Sequence, residues 1–283
     1  MSFRILAVIF LLSASVFAQL SETEQAWNRP VEPFRIAGNL YYVGAADLSS
    51  YLITTPKGHI LLDSGMAETV PQIKANIAKL GFKLEDVKAL IISHAHYDHV
   101  GGIAELKRLT KAKLYVSEED AKLLARGGKG DPNFADRFPF EPATADKTFN
   151  DGWNLKFGNT TMTAMVTPGH TKGCTTWTTA VEDGAKKLDA VFVCSVTAPG
   201  YTLVGNIEHP QIVSDYESTF RRLKALKVDL FLSSHASAFE MAEKLESRKA
   251  IPNVNPFIDP KGYLEMLERT EAQFRRQLAS QTK

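Results

Sequence analysis

Val87-Lys88-Ala89-Leu90-Ile91-Ile92-Ser93 runs without a break into His94-Ala95-His96-Tyr97-Asp98-His99. The first seven residues are mostly apolar and too few for an ordinary helix, so they predict a strand buried on both faces. The next six carry three of the chain's seven histidines and a carboxylate. In extended chain, residues two apart point the same way. His94 and His96 therefore converge on one ion, and Asp98 and His99, on the following turn, face a neighbouring one. Neutral imidazole and carboxylate are the ligands zinc prefers. The end of a sheet strand is also where α/β proteins present functional groups.

Two further histidines follow predicted strands. Trp153 to Val166 reads as two strands, and Thr167-Pro168-Gly169-His170-Thr171 comes directly after them, with Gly169 permitting a tight turn. Val228 to Ser233 reads as a strand that ends near His235. Alone, either histidine reads as a solvated or hydrogen-bonded side chain; beside the cluster, each becomes a candidate ligand. His59 and His209 stand in no such position and read as surface or loop histidines.

Around these motifs the chain alternates. Leu40 to Val43, Ser50 to Thr54 and His59 to Asp63 predict strands, the last two joined by the turn Pro56-Lys57-Gly58. Val70, Ile73, Ile77 and Leu80 recur at helical spacing before Gly81. A helix over Ile103 to Leu109 and a short strand over Leu114 to Val116 come next, then a Gly-, Pro- and Asp-rich loop over Arg126 to Phe149. Thr175 to Val181 and Leu188 to Cys194 predict a hairpin around Glu182-Asp183-Gly184-Ala185. Ser214-Asp215-Tyr216-Glu217 reads as a capping box opening a helix that carries Tyr216, Phe220 and Leu223. Asp259-Pro260 predicts the cap and first turn of a C-terminal helix with the stripe Leu264, Leu267, Phe274 and Leu278. No linker or repeat divides the chain, so one α/β domain is expected over residues 19–283.

Composition bounds the partners. The formal net charge is +1, which points to neither nucleic acid nor an anionic membrane surface. Arg4, the apolar Ile5 to Leu12 and the small residues up to Ala18 predict a secretory signal over residues 1–18. The apolar run is shorter than the roughly 20 residues that span a bilayer. A periplasmic protein with no membrane contact in its mature form is expected, and a monomer.

The set His94-x-His96-x-Asp98-His99, Gly169-His170-Thr171 and Ser234-His235 resembles the metallo-β-lactamase superfamily over nearly the whole mature chain. The resemblance implies a four-layer αβ/βα sandwich with two zinc ions at one sheet edge. It implies His94, His96 and His170 on the first zinc and Asp98, His99 and His235 on the second. Most of that superfamily places a metal-bridging aspartate at a strand end where this chain reads Phe192-Val193-Cys194-Ser195-Val196-Thr197, without a carboxylate. That departure, with His99 present, is the pattern of the third β-lactamase subclass, B3. The stretch from Ser195 to Tyr201 and the earlier Pro33 to Tyr41 also resemble it.

The resemblance further implies a hydrolase that opens the β-lactam ring of penicillins, cephalosporins and carbapenems, conferring antibiotic resistance. Attack is by a zinc-bound hydroxide that Asp98 orients, so no covalent enzyme intermediate is required. Ser195 and Thr197 are implied to hold a metal water or the substrate carboxylate. Tyr201, with the Arg126–Phe149 loop, would wall the substrate, and Asp63 would hydrogen-bond a ligand histidine or hold the ligand loop. Cys194 invites a zinc-ligand reading that a different subclass uses. In a hairpin centred on Gly184, however, Cys174 and Cys194 are equidistant from the turn, and a cross-strand disulfide is expected, two reduced buried thiols being the alternative. The rival functions are another hydrolase of this fold, such as a lactonase or thioesterase, and a non-catalytic exported zinc-binding domain.

Overall fold

Strand β5 (Val87–Ile91) shows how the layers form. Ala89 and Ile91 enter one buried apolar cluster, while Val87 and Leu90 enter another. A strand with both faces buried must lie between two layers, as its unbroken apolar run requires. The same partition holds upstream. Tyr51 and Ile53 of β3 (Tyr51–Thr55) and Ile60 and Leu62 of β4 (Gly58–Leu62) face the first cluster, and Leu52 and Leu61 face the second.

The computed structural model describes residues 20–282, so the export-signal reading of residues 1–18 lies outside it. Helix α1 (Glu22–Trp27) precedes a seven-stranded sheet in the order β1-β2-β3-β4-β5-β6-β7. Its remaining strands are β1 (Phe34–Ala37), β2 (Leu40–Tyr42), β6 (Lys113–Ser117) and β7 (Lys147–Phe149). Helices α2 (Val70–Lys79) and α4 (Ile103–Thr110) cover its outer face with Ile73, Ile77, Ile103 and Leu106. The short α3 (Tyr97–Val100) carries the end of the histidine cluster, and α5 (Glu118–Ala125) follows β6.

A second sheet, ordered β12-β11-β10-β9-β8, packs against the first. It contains β8 (Asn154–Phe157), β9 (Thr160–Val166), β10 (Thr175–Asp183), β11 (Lys186–Val193) and β12 (Leu230–Ser233). Trp177 and Phe192 meet Tyr51 and Ile91 in the shared core, where the Tyr51 and Phe192 rings lie edge to face with centroids 5.0 Å apart. Helices α6 (Ile212–Lys224) and α8 (Pro260–Gln281) bury Phe220, Leu223, Leu267 and Phe274 in the same cluster. Helix α7 (Met241–Ala250) follows β12. The result is the four-layer αβ/βα sandwich in one domain. Among the described residues, no helix is long and apolar enough to cross a membrane.

The structure corrects four local readings. Helix α6 starts at Ile212, two residues before the expected capping box, with Gln211 as its cap residue. Ile212 is fully buried, and Ser214 Oγ donates to Gln211 O inside the first turn instead of capping. Helix α8 does begin on Asp259, which accepts from Gly262 N–H at 2.8 Å, but its buried face carries Tyr263 and Met266 while Leu264 is exposed. The loop after Arg126 ends in β7, a strand paired in parallel with β6. The β10–β11 hairpin turns on two residues, Gly184 and Ala185, so Asp183 faces Lys186 and Trp177 faces Phe192. That register is one residue away from a turn centred on Gly184. Cys174 and Cys194 therefore lie just past the paired ends instead of opposite one another, and they still form the expected disulfide across a Cα separation of 5.9 Å.

Candidate metal centre

Strand ends from both sheets bring the six expected side chains together. His94, His96, Asp98 and His99 follow β5, His170 follows β9, and His235 follows β12. All six are buried or nearly so. The ring centroids of His94, His96 and His170 are mutually 4.7–4.8 Å apart. His96 Nδ1 lies 3.1 Å from His170 Nε2, and His94 Nε2 is buried without a hydrogen-bond partner. Beside this trio, Asp98 Oδ2 is 3.4 Å from both His99 Nε2 and His235 Nε2, which are 3.2 Å from each other. The two trios adjoin, with the His94 and His99 centroids 4.3 Å apart.

The nitrogens facing away from this centre each meet a specific neighbour. Ser93 Oγ is 3.0 Å from His94 Nδ1, and Asp131 Oδ2 is 3.2 Å from His96 Nε2. His170 Nδ1 donates to Thr197 O at 2.8 Å. His235 Nδ1 lies 3.0 Å from Asp47 Oδ2, and His99 Nδ1 faces Asp63 Oδ2 across 3.7 Å. An acceptor on the outer nitrogen fixes the proton there and leaves the inner lone pair for a cation.

Electrostatics agrees with the geometry. Burial, with neighbouring imidazoles, holds His94 well below its ordinary range. Burial, helped by His96, brings His170 down to about 3. Both are thus neutral donors at any working pH. Burial opposes ionisation of Asp98, but His99 and His235 outweigh it and hold the carboxyl well below its usual range. Burial likewise opposes charge on His235, yet Asp47 and Asp98 push it up to about 10. The carboxylates of Asp47 and Asp98 thus favour positive charge at the second trio, as a cation site requires.

The donor set fits zinc. Two ligands on one tetrahedral zinc, each about 2.0–2.1 Å from it, stand about 3.3 Å apart. The facing nitrogens at 3.1 and 3.2 Å match that spacing. Each trio supplies three protein ligands, and a structural zinc is normally closed by four. The sulfurs of Cys174 and Cys194 also lie within 4.8 Å of a His94 nitrogen, but they are bonded to each other and offer no thiolate.

The other expected residues take distinct places. Ser195 Oγ and Thr197 Oγ1 are 3.0 Å apart at the end of β11. They line a cavity of about 280 Å³ beside His235, together with Ser234, Arg269 and Gln273, and no carboxylate faces it. Tyr201 is buried under Phe134, and its hydroxyl donates to His170 O at 3.2 Å, so it touches a candidate ligand instead of lining open space. Asp63 accepts from Ser93 N–H at 2.6 Å and holds the start of the ligand segment. It does so from a left-handed backbone (φ 61°), a strained conformation for a non-glycine residue. Gly169 is required: at φ 138° a Cβ there would meet the Tyr216 ring at 2.9 Å. His59 and His209 stay outside the centre, His59 edge-on against Phe82 and His209 paired with Asp215 at 2.7 Å.

Sequence reasoning missed Asp47, Asp120, Asp131 and Trp27. Asp120 Oδ2 accepts from Ala95 N–H and from Thr171 Oγ1, each at 2.9 Å, and Oδ1 accepts from Gly173 N–H at 3.0 Å. Trp27 of α1 packs edge-on against His235 at 5.5 Å. The one local signal was Asp131-Pro132, a turn-forming pair inside the long loop.

Comparison with known proteins places this architecture. Residues 44–235 match the family model described as the metallo-beta-lactamase superfamily. The native FEZ-1 metallo-beta-lactamase from Legionella gormanii is 45% identical, with a TM-score of 0.88, over 90% of this chain and 98% of that one. BJP-1, a subclass B3 metallo-beta-lactamase of Bradyrhizobium japonicum, is 39% identical, with a TM-score of 0.86, over 91% and 97%. The structural neighbours are thus of the B3 subclass that the motif pattern implied. Among curated sequences, a hydroxyacylglutathione hydrolase of Rhodopseudomonas palustris (strain ATCC BAA-98 / CGA009) is 30% identical over 126 residues, 44% of this chain and 40% of that enzyme. The chain spans about two fifths of the length of the first curated relatives it matches.

Proposed function

The chain belongs to the metallo-beta-lactamase superfamily, and from that premise we propose that it is a di-zinc hydrolase that opens β-lactam rings. The observation that carries the proposal is the pair of adjoining donor trios, each one ligand short of closure. His94, His96 and His170 would hold one ion, and Asp98, His99 and His235 the other. Zinc bound there supplies Lewis acidity toward water and toward a carbonyl oxygen.

The chain's own residues do the rest. Asp98, ionised at working pH, orients the attacking water and takes its hydrogen bond. The water oxygen bonds to the lactam carbonyl carbon, the C–N bond breaks, and the nitrogen gains a proton. Asp131, Thr197, Asp47 and Asp63 face the outer nitrogens of four of the ligand histidines. Ser195 and Thr197, with Arg269 across the cavity, receive the carboxylate of the substrate. Tyr201 acts through His170, as a positioning residue. Export to the periplasm through residues 1–18 and a monomeric state complete the proposal, along with resistance to these antibiotics as its outcome in the cell.

The test is hydrolysis of a penicillin, a cephalosporin and a carbapenem by the mature protein, with and without a chelator. Turnover that the chelator abolishes and added zinc restores is expected. Zinc-loaded protein inert on all three overturns the β-lactamase reading, and turnover of lactones or thioesters in the same assay would identify the reaction instead.

A further inference from the structure

The long loop after α5 is tied to the metal centre at one point. Asp131 and Ala135 exchange backbone hydrogen bonds at 3.1 and 2.8 Å, closing a tight turn. Asp131 Oδ1 accepts from the N–H groups of Asn133 and Phe134, both at 2.7 Å. Its other oxygen, Oδ2, faces His96 Nε2 at 3.2 Å, with both side chains under a tenth exposed. The same turn delivers Phe134, whose ring lies edge-on to His96 at 5.1 Å and meets Phe138 at 5.3 Å. Phe138 in turn stacks on Tyr97 at 4.8 Å. One carboxylate thus both folds the turn and fixes a candidate ligand.

We infer that Asp131 is a positioning residue that couples the aromatic lip, residues 126–146, to metal binding by the His94–His96–His170 trio. The inference rests on the reading that this trio binds zinc. His96 presents Nδ1 to the centre, so with a metal there its only proton sits on Nε2, aimed at Asp131. Metal binding therefore fixes the tautomer that the lip requires. Coupling of two equilibria is reciprocal, so an anchored lip raises the metal affinity by the same factor. Without the metal, His170 Nε2 at 3.1 Å competes with Asp131 for the one proton of a neutral His96, and the anchor is weaker.

The experiment uses the mature chain and zinc alone, with no lactam, so its failure is separable from failure of the β-lactamase reading. Trypsin cuts after the exposed Lys129 and Arg137 report the lip, and cuts after the exposed Lys249 on α7 report general stabilisation. In the wild type, zinc should slow lip cleavage about tenfold more than cleavage at Lys249. Asp131→Asn keeps an oxygen for the Asn133 and Phe134 amides but turns an amide NH2 toward His96 Nε2–H. It should lower zinc affinity about 10–100-fold in competition with a chromophoric chelator, and abolish the lip-specific protection. Equal protection of lip and α7 in the wild type overturns the coupling without any variant. Wild-type zinc affinity in Asp131→Asn shows that the residue only caps its turn, and overturns it equally.

Discussion

Asp120 accepts a hydrogen bond from Ala95 N–H at 2.9 Å, and Ala95 is the residue between His94 and His96. Through Thr171 and Gly173 the same buried carboxylate grips the segment that carries His170. One acid on α5 thus ties together the segments that carry all three candidate ligands of a trio while hydrogen-bonding none of their rings.

Replacing Asp120 with alanine would leave two buried N–H groups and a hydroxyl unpaired. Each such loss costs about 1–3 kcal/mol, so denaturant unfolding of the zinc-free protein should show a deficit of about 3 kcal/mol or more. Zinc affinity should fall as well, because the three donors no longer converge. Asp120→Asn retains one acceptor oxygen and should fall between the two. An alanine variant of unchanged stability would show that the carboxylate is dispensable.

Arg269 stands exposed at the cavity beside His235, and among the described residues it forms no ion pair. Its proposed role is to receive the substrate carboxylate. Arg269→Ala should raise KM for carboxylate-bearing lactams about 5- to 10-fold with kcat little changed, the signature of lost uniform binding. Rising ionic strength should weaken substrate binding to the wild type and matter less to the variant. A variant with an unchanged KM would place the carboxylate elsewhere.

The Cys174–Cys194 bond closes a loop of 20 residues in sequence. Closure of a loop that size is worth about 3 kcal/mol. Unfolding midpoints measured with and without reductant should differ accordingly, and thiol titration of the denatured, unreduced protein should find no free thiol. Two thiols in that titration would refute the bond. A bond that contributes nothing to stability would point to residual structure in the reduced unfolded chain.

The candidate metal ligands were legible because their chemistry is written locally. Four of the six lie within six residues of one another, and the other two follow recognisable strands. Among the residues that hold those side chains in place, Asp63 was legible by resemblance, but Asp47, Asp120 and Asp131 were not. Asp47 comes from the segment between β2 and β3, Asp120 from a helix first turn where acids are common, and Asp131 from a loop read only as surface. Each acquires its role through tertiary packing that no spacing encodes. The layered fold was legible through the two-faced burial of β5, but the hairpin register was not. A two-residue turn and one centred on Gly184 differ by a single position, and the observed register is the one that sets Trp177 opposite Phe192 in the shared core.

Each trio draws two donors from the end of β5 in the first sheet and one from the second, His170 or His235. A nascent chain that has finished only its first sheet therefore owns two incomplete claws and would grip neither proposed ion firmly. If the trios hold zinc as proposed, capture comes late, after the sheets have docked and long loops have closed. Metal uptake then marks the completion of folding, and a chain cut after β7 should fold, if at all, without ever becoming a metalloprotein.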